Sequence, residues 1–131
     1  MKICTLMCVF VITFAGCATK GINLSKNGSV KIERIASESI FIPWADAYQD
    51  GNDLMISGVV ERRYQTAGDV KAYVEVQIVD ASGQLLTQAR TADIHVPPKV
   101  PRRAIKWEHF NLTIPVIAPN QALIRLVVHR A

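Results

Sequence analysis

The stretch VKAYVEVQIVDASG, residues 70–83, decides the fold of this chain. Apolar side chains occupy every second position of its first part: Val70, Ala72, Val74, Val76 and Ile78. Because successive side chains of a strand point to opposite faces, this alternation predicts a strand with one buried and one solvent-exposed face. Asp80 to Gly83 then form a hairpin turn, since Asp and Ser bond to local backbone and Gly adopts a positive φ.

The same period of two recurs on both sides of this stretch. One face of each further predicted strand is apolar: Val30 and Ile32; Ile40 and Ile42; Leu54, Ile56, Gly58 and Val60; Phe110, Leu112 and Ile114; and Ala122, Ile124, Leu126 and Val128. Gln84 to Val96 predicts an irregular return strand, and Asp46 to Asp50 is compatible with one helical turn. No stretch shows the 3.6-residue period of a longer helix.

About seven short strands with turns between them are typical of a two-sheet sandwich. We therefore predict an all-β domain over residues 29–131, an antiparallel β-sandwich. The pattern from Val30 to Val128 resembles that of Ig-like and fibronectin-like sandwiches without a disulfide. The strand and turn from Tyr73 to Gly83 resemble those of small periplasmic Ig-like lipoproteins.

Length, charge and cysteine content restrict the possible functions. The chain has 131 residues, which suffices for one domain, and its net charge of +4 is too small to indicate nucleic-acid binding. Its cysteines are Cys4, Cys8 and Cys17. Cys4 and Cys8 lie in an apolar run that we expect to be removed, and lipidation of Cys17 would leave no free thiol. Disulfides, thiolate metal sites and cysteine nucleophiles are then excluded together.

The first sixteen residues have the organisation of an export signal. Lys2 supplies the positive start, the stretch from Ile3 to Phe14 is uncharged, and the small residues Ala15 and Gly16 follow. A spanning helix needs about 20 apolar residues, and this run is shorter. We therefore predict a cleaved signal peptide over residues 1–16 rather than a permanent membrane span.

The sequence from Phe14 to Cys17 resembles the bacterial lipobox, an aliphatic residue and two small residues before a cysteine, and departs from it at Phe14, where Leu is usual. The resemblance implies diacylglycerol on the Cys17 sulfur, cleavage before it and acylation of the new amino group. The alternative is an ordinary signal with a coincidental cysteine. By the sorting rule of that family, Ala18 favours the outer membrane, with the domain in the periplasm and residues 17–28 as a tether.

One cluster of basic residues lies among prolines, which favour an exposed, extended loop. Its members are Lys99, Arg102, Arg103 and Lys106. We consider it a candidate contact for an anionic membrane surface or an acidic partner. The alternative is a solvated loop whose charges aid solubility.

The three histidines, His95, His109 and His129, lack the local spacing of a metal motif. We interpret them as polar residues on exposed strand faces, and we predict no metal site and no cofactor. Trp44 is interpreted as a core or end-cap residue. Trp107 either anchors the protein to a partner or, as we favour, packs under the basic loop.

No catalytic motif is present, neither a nucleophile elbow nor a phosphate-binding glycine loop. The leading hypothesis is a non-enzymatic, lipid-anchored envelope protein that binds or braces a protein partner. The alternative is a module that binds a metal, an anionic lipid or a glycan. A hydrolase would need a carboxylate or histidine cluster in a cleft.

Overall fold

The computed structural model describes residues 21–64, 68–98 and 107–131. The predicted signal peptide, Cys17 and the basic residues Lys99, Arg102, Arg103 and Lys106 lie outside these ranges. The described residues form strands and turns, and none of them belongs to a helix that is long and apolar enough to cross a membrane.

Ten strands are present in the described ranges. In chain order they are β1 Ile22–Asn23, β2 Val30–Ile35, β3 Ile40–Phe41, β4 Ala45–Asp50, β5 Asp53–Arg62, β6 Val70–Val79, β7 Leu85–Arg90, β8 Ile94–Val96, β9 Trp107–Ile114 and β10 Ala122–Arg130.

The first sheet, sheet A, is built around β5. On one side β5 pairs with β3 and β4, which follow one another along its edge, and β1 pairs with the far side of β4. On its other side β5 pairs with β9. All these pairs are antiparallel, and Gly58 at the centre lies opposite Ala45 on β4 and Phe110 on β9.

The second sheet, sheet B, has the order β2, β10, β6 and then β7. β8 also pairs with β6, beyond the end of β7. β10 is antiparallel to β6 but parallel to β2, with Ile124 opposite Ile32. The predicted two-sheet sandwich is confirmed, and this one parallel pair departs from the antiparallel arrangement that we expected.

The core lies between the two sheets and follows the predicted alternation. β5, β6 and β10 each supply a buried row, which comprises Leu54, Ile56 and Val60; Ala72, Val74, Val76 and Ile78; and Ala122, Ile124, Leu126 and Val128. Removing these apolar side chains from water stabilises the fold by roughly 25 cal/mol for each Å² buried. The arrangement leaves the opposite rows of the same strands on the outer faces of the sandwich.

One charged side chain, Arg62 at the end of β5, enters this interior and is only 2% exposed. Its guanidinium donates to the backbone carbonyls of Gly68 and of Val96, the latter at 2.9 Å. Burial lowers the pKa of Arg62, and the Asp69 carboxylate partly offsets this effect. Arg62 thereby links sheet A to sheet B at one end of the sandwich.

The segment from Asp46 to Asp50 belongs to strand β4, so the helical turn suggested for it is wrong. Two inward side chains of β4, Ala45 and Ala47, are small, so the strand lacks a conspicuous apolar row. Pairing with β5 over the whole length of β4 selects the strand instead.

The predicted irregularity between Gln84 and Val96 is the break between β7 and β8. At this break the Thr91 hydroxyl accepts a hydrogen bond from the Val74 N–H, and the Thr91 N–H donates to the Val74 carbonyl, both at 3.0 Å. A side chain thus replaces one backbone acceptor, and β6 continues beyond this point by pairing with β8.

The last part of the predicted tether contributes to the domain. β1 pairs with β4, and Leu24 is buried in the core. The Ser29 N–H donates to the Leu24 carbonyl, and Gly28 has a φ of 78° in the turn between them. The sandwich therefore includes residues that precede position 29.

Candidate binding surfaces

The outer face of sheet A carries three rows of side chains, because β4, β5 and β9 pair in register. We call the following nine residues the sheet A face: Trp44, Val59 and His109; Asp46, Ser57 and Asn111; and Tyr48, Met55 and Thr113. Each row runs across the three strands, so residues distant in the sequence become neighbours.

Aromatic side chains occupy the β4 side of the sheet A face. Trp44 is 45% exposed, and its ring meets the His109 ring edge to face with centroids 6.1 Å apart. Gly58 makes this position possible, because a Cβ there would lie 2.7 Å from the Trp44 carbonyl oxygen. A shallow hollow of about 270 Å³ adjoins Tyr48, and Met55, Ser57 and Asn111 complete its lining.

The polar groups of the middle row are largely uncommitted. Asp46 has a neighbour in Ser25, whose Oγ lies 3.1 Å from Asp46 Oδ1 and 2.6 Å from Asn23 Oδ1. Within the described ranges, Asp46 Oδ2, Ser57 Oγ and the Asn111 amide have no hydrogen-bond partner. These groups are therefore available to a ligand.

The outer face of sheet B is organised differently. We call eight of its polar residues the sheet B face: Glu33, Tyr73, Glu75, Gln77, Gln88, Arg90, Arg125 and His129.

Glu75 is the centre of the sheet B face. Its Oε1 accepts hydrogen bonds from the side chains of Gln77 at 2.7 Å and Gln88 at 2.9 Å. Its Oε2 lies 3.1 Å from His129 Nε2, although the two atoms are not aligned as a hydrogen bond. The face is thus held together by contacts around one carboxylate.

The remaining groups of the sheet B face also have partners. Arg125 contacts Glu33 and Gln77, each at 3.4 Å. The Arg90 guanidinium lies 3.7 Å from the centroid of the Tyr73 ring. The Tyr73 ring also stacks on the His129 ring. Because these side chains bond to one another, they retain little capacity to bind a ligand.

A third surface lies at the edge of sheet B. In the described part of the chain, β7 pairs only with β6, so its other edge presents unpaired backbone groups. Leu85 is 50% exposed and Leu86 43% exposed at the start of this strand. A hollow of about 540 Å³ beside Leu85 is lined by residues of β6 and β10, Val79 and Leu123 among them, and by residues of the turns that precede β7 and β10.

The structure does not bring the three histidines together. His109 lies on sheet A, whereas His95 and His129 lie on strands of sheet B. His95 Nε2 is 3.2 Å from Asp69 Oδ1, and both side chains are exposed. The described ranges contain no group of three His, Cys, Asp or Glu residues that could hold a metal ion.

Of the two alternatives for Trp44, a core or an end-cap residue, the core alternative is wrong, because its side chain lies exposed on the sheet A face. Trp107 lies on the same side of sheet A and is 42% exposed, while the basic loop expected to cover it lies outside the described ranges. The sheet A face was missed at the level of sequence because its rows depend on the register between distant strands.

Sequence comparisons with known protein families and curated proteins identify no relative of this chain. No protein-family model matches the chain, and no curated protein sequence matches it significantly. Functional inference therefore depends on the chemistry of these surfaces.

Proposed function

We propose that this protein is a non-enzymatic lipoprotein of the bacterial envelope, anchored through Cys17, whose domain binds a protein partner. The signal-like N-terminus and the lipobox resemblance support the anchor, and Ala18 after the cysteine favours the outer membrane, with the domain facing the periplasm. Several acyl chains make such an attachment stable, since each buried CH2 contributes about 0.8 kcal/mol.

The observation that supports a protein partner is the edge of β7. An unpaired edge offers backbone donors and acceptors to an extended segment of another chain, which then adds a strand to the sheet. Leu85 and Leu86 give this edge exposed apolar surface. The partner segment that fits is extended, with apolar side chains that face these two leucines.

The anchor is tested by labelling cells with a fatty-acid analogue. Wild-type protein should incorporate the label and sediment with membranes, whereas Cys17→Ser should lose both properties. An unlabelled wild-type protein would contradict the anchor but not the edge-strand proposal.

Strand addition is tested by a photo-crosslinking amino acid at position 86 in the full-length protein in cells. We expect one discrete adduct, identified by mass spectrometry, that disappears when Leu85→Lys places a charge on the edge. The same crosslinker at position 111, on the other sheet, is the control. An adduct that forms equally at both positions, or that survives Leu85→Lys, would contradict partner binding at β7.

A further inference from the structure

The sheet A face has the composition of a surface that recognises uncharged, hydroxylated molecules. The outward positions of β4, β5 and β9 include no lysine or arginine, since Arg62, the only such residue in these strands, points inward. Asp46, Ser57 and Asn111 provide acceptor and donor groups in one row across the three strands. A neutral ligand with many hydroxyl groups can bond with both the acceptors and the donors of this row.

Two aromatic residues flank this polar row: Trp44, directly before β4, and Tyr48 on β4. Trp44 and Tyr48 lie four residues apart on an extended chain, which separates them by about 13 Å. Asp46 on β4 lies between them. Aromatic rings bury the apolar C–H faces of pyranose rings, while their polar neighbours bond with the hydroxyl groups at the rim. A few linked sugar rings span this distance along β4.

The hollow beside Tyr48 adds a preference for one class of sugar. Met55 and the Tyr48 ring provide apolar surface, and Ser57 and Asn111 provide a hydroxyl and an amide. An acetamido group needs both, because its methyl is apolar while its N–H and C=O each require a hydrogen-bond partner. A plain hydroxyl at the same sugar carbon would leave the apolar part of the hollow unfilled.

We propose that the sheet A face binds a neutral glycan that contains 2-acetamido sugars and lies along β4. Trp44 and Tyr48 pack on its rings, Asp46 bonds with ring hydroxyls, and Ser57 and Asn111 bond with an acetamido group in the hollow. This site lies on the opposite sheet from β7 and does not depend on the proposed protein partner.

The two tryptophans of the chain allow a direct test. In full-length protein purified in a non-glycosidic detergent, Trp107→Phe leaves Trp44 as the only tryptophan, and Trp44→Phe leaves Trp107. Titration with chitotetraose should change the fluorescence of Trp44 in a saturable way. Trp107, which is similarly exposed on the same side of sheet A, should respond weakly. A silent Trp44 at millimolar oligosaccharide would overturn the proposal.

The acetamido preference is tested with cellotetraose, which has the same linkage but a hydroxyl in place of each acetamido group. We expect it to bind at least about tenfold more weakly. Equal affinity would overturn the role of the hollow. Co-sedimentation with purified peptidoglycan and with chitin then distinguishes cell-wall glycan strands from other polymers of these sugars.

Substitutions locate the site independently of fluorescence. By calorimetry, Trp44→Ala and Asn111→Ala should each weaken chitotetraose binding about tenfold. Gln88→Ala on the sheet B face is the matched control and should leave affinity unchanged. Amide chemical shifts of the wild-type protein give a second readout if a variant fails to fold. Shifts confined to sheet B would contradict the proposed site.

Discussion

The outer faces of sheets A and B are both formed by in-register strands, yet their polar side chains are used differently. On the sheet B face, Glu75 binds Gln77 and Gln88, and Arg125 contacts Glu33. On the sheet A face, Ser57 and the Asn111 amide have no partner within the described residues. Mutual hydrogen bonds contribute to stability, whereas uncommitted groups are available for recognition. Substitutions should therefore affect stability on the sheet B face and binding on the sheet A face.

The largest expected effect concerns the support beneath the sheet A face. Gly58→Ala should lower the free energy of unfolding by about 2 kcal/mol, because the new Cβ would overlap the Trp44 carbonyl and the Phe110 ring. Urea denaturation measures this loss. Ser57→Ala, at the preceding position but facing outward, should change stability by less than about 0.5 kcal/mol. Equal losses would show that the two positions do not differ as described.

The next effect tests the network of the sheet B face. Glu75→Ala should cost about 1 kcal/mol of stability, because the amides of Gln77 and Gln88 lose their shared acceptor. Asp46→Ala on the sheet A face is the matched carboxylate and should cost less than half of that. If Asp46→Ala destabilises the protein as much as Glu75→Ala, the contrast between the two faces is wrong.

A smaller, pH-dependent effect is expected at the turn that ends β6. Hydrogen bonds from the Ser82 hydroxyl and from the Gln84 and Ser82 N–H groups lower the pKa of Asp80 below its usual value. A lowered pKa in the folded state means stabilisation that is present above the ordinary carboxyl pKa and lost as the pH falls through the folded value.

Asp80→Asn keeps one acceptor oxygen but removes the charge. Its melting temperature should therefore lie below that of wild type at neutral pH, and the two should converge in acid. A difference that persists unchanged at low pH would show that the charge of Asp80 has no role.

The smallest effect is expected for the exposed ion pair of the sheet B face. Arg125 Nε lies 3.4 Å from Glu33 Oε2, and both side chains are more than one third exposed. Glu33→Gln should cost about 0.3 kcal/mol at low ionic strength, and the loss should disappear at 1 M salt. A loss above about 1 kcal/mol would mean that this pair is part of the network rather than peripheral to it.

The sequence predicts the strongly patterned part of this fold. β6 spans Val70–Val79 as the alternation indicates, and the turn after it has Gly83 at a φ of 91° with Asp80 Oδ1 accepting from the Ser82 and Gln84 N–H groups. In these elements, local chemistry and tertiary packing favour the same conformation. β4 was missed because Ala45 and Ala47 face the core without forming an apolar row.

The candidate surfaces were less accessible to prediction. The middle row of the sheet A face joins Asp46, Ser57 and Asn111, which only strand register brings together. Trp44 was interpreted as a core or end-cap residue, but its side chain is exposed, and its carbonyl oxygen lies so close to Gly58 that a Cβ there would be only 2.7 Å away. Neither relation is contained in a local pattern.

The place of β10 in sheet B has a consequence for the order in which the sandwich can form. β10 follows every other described strand in the chain, yet it lies between β2 and β6 and pairs with both. The sheet therefore cannot close until β10 is available, because its middle is supplied after the other described strands. Until β10 joins them, β2 and β6 each lack the partner that connects the two halves of the sheet, so the sandwich forms late rather than strand by strand along the chain.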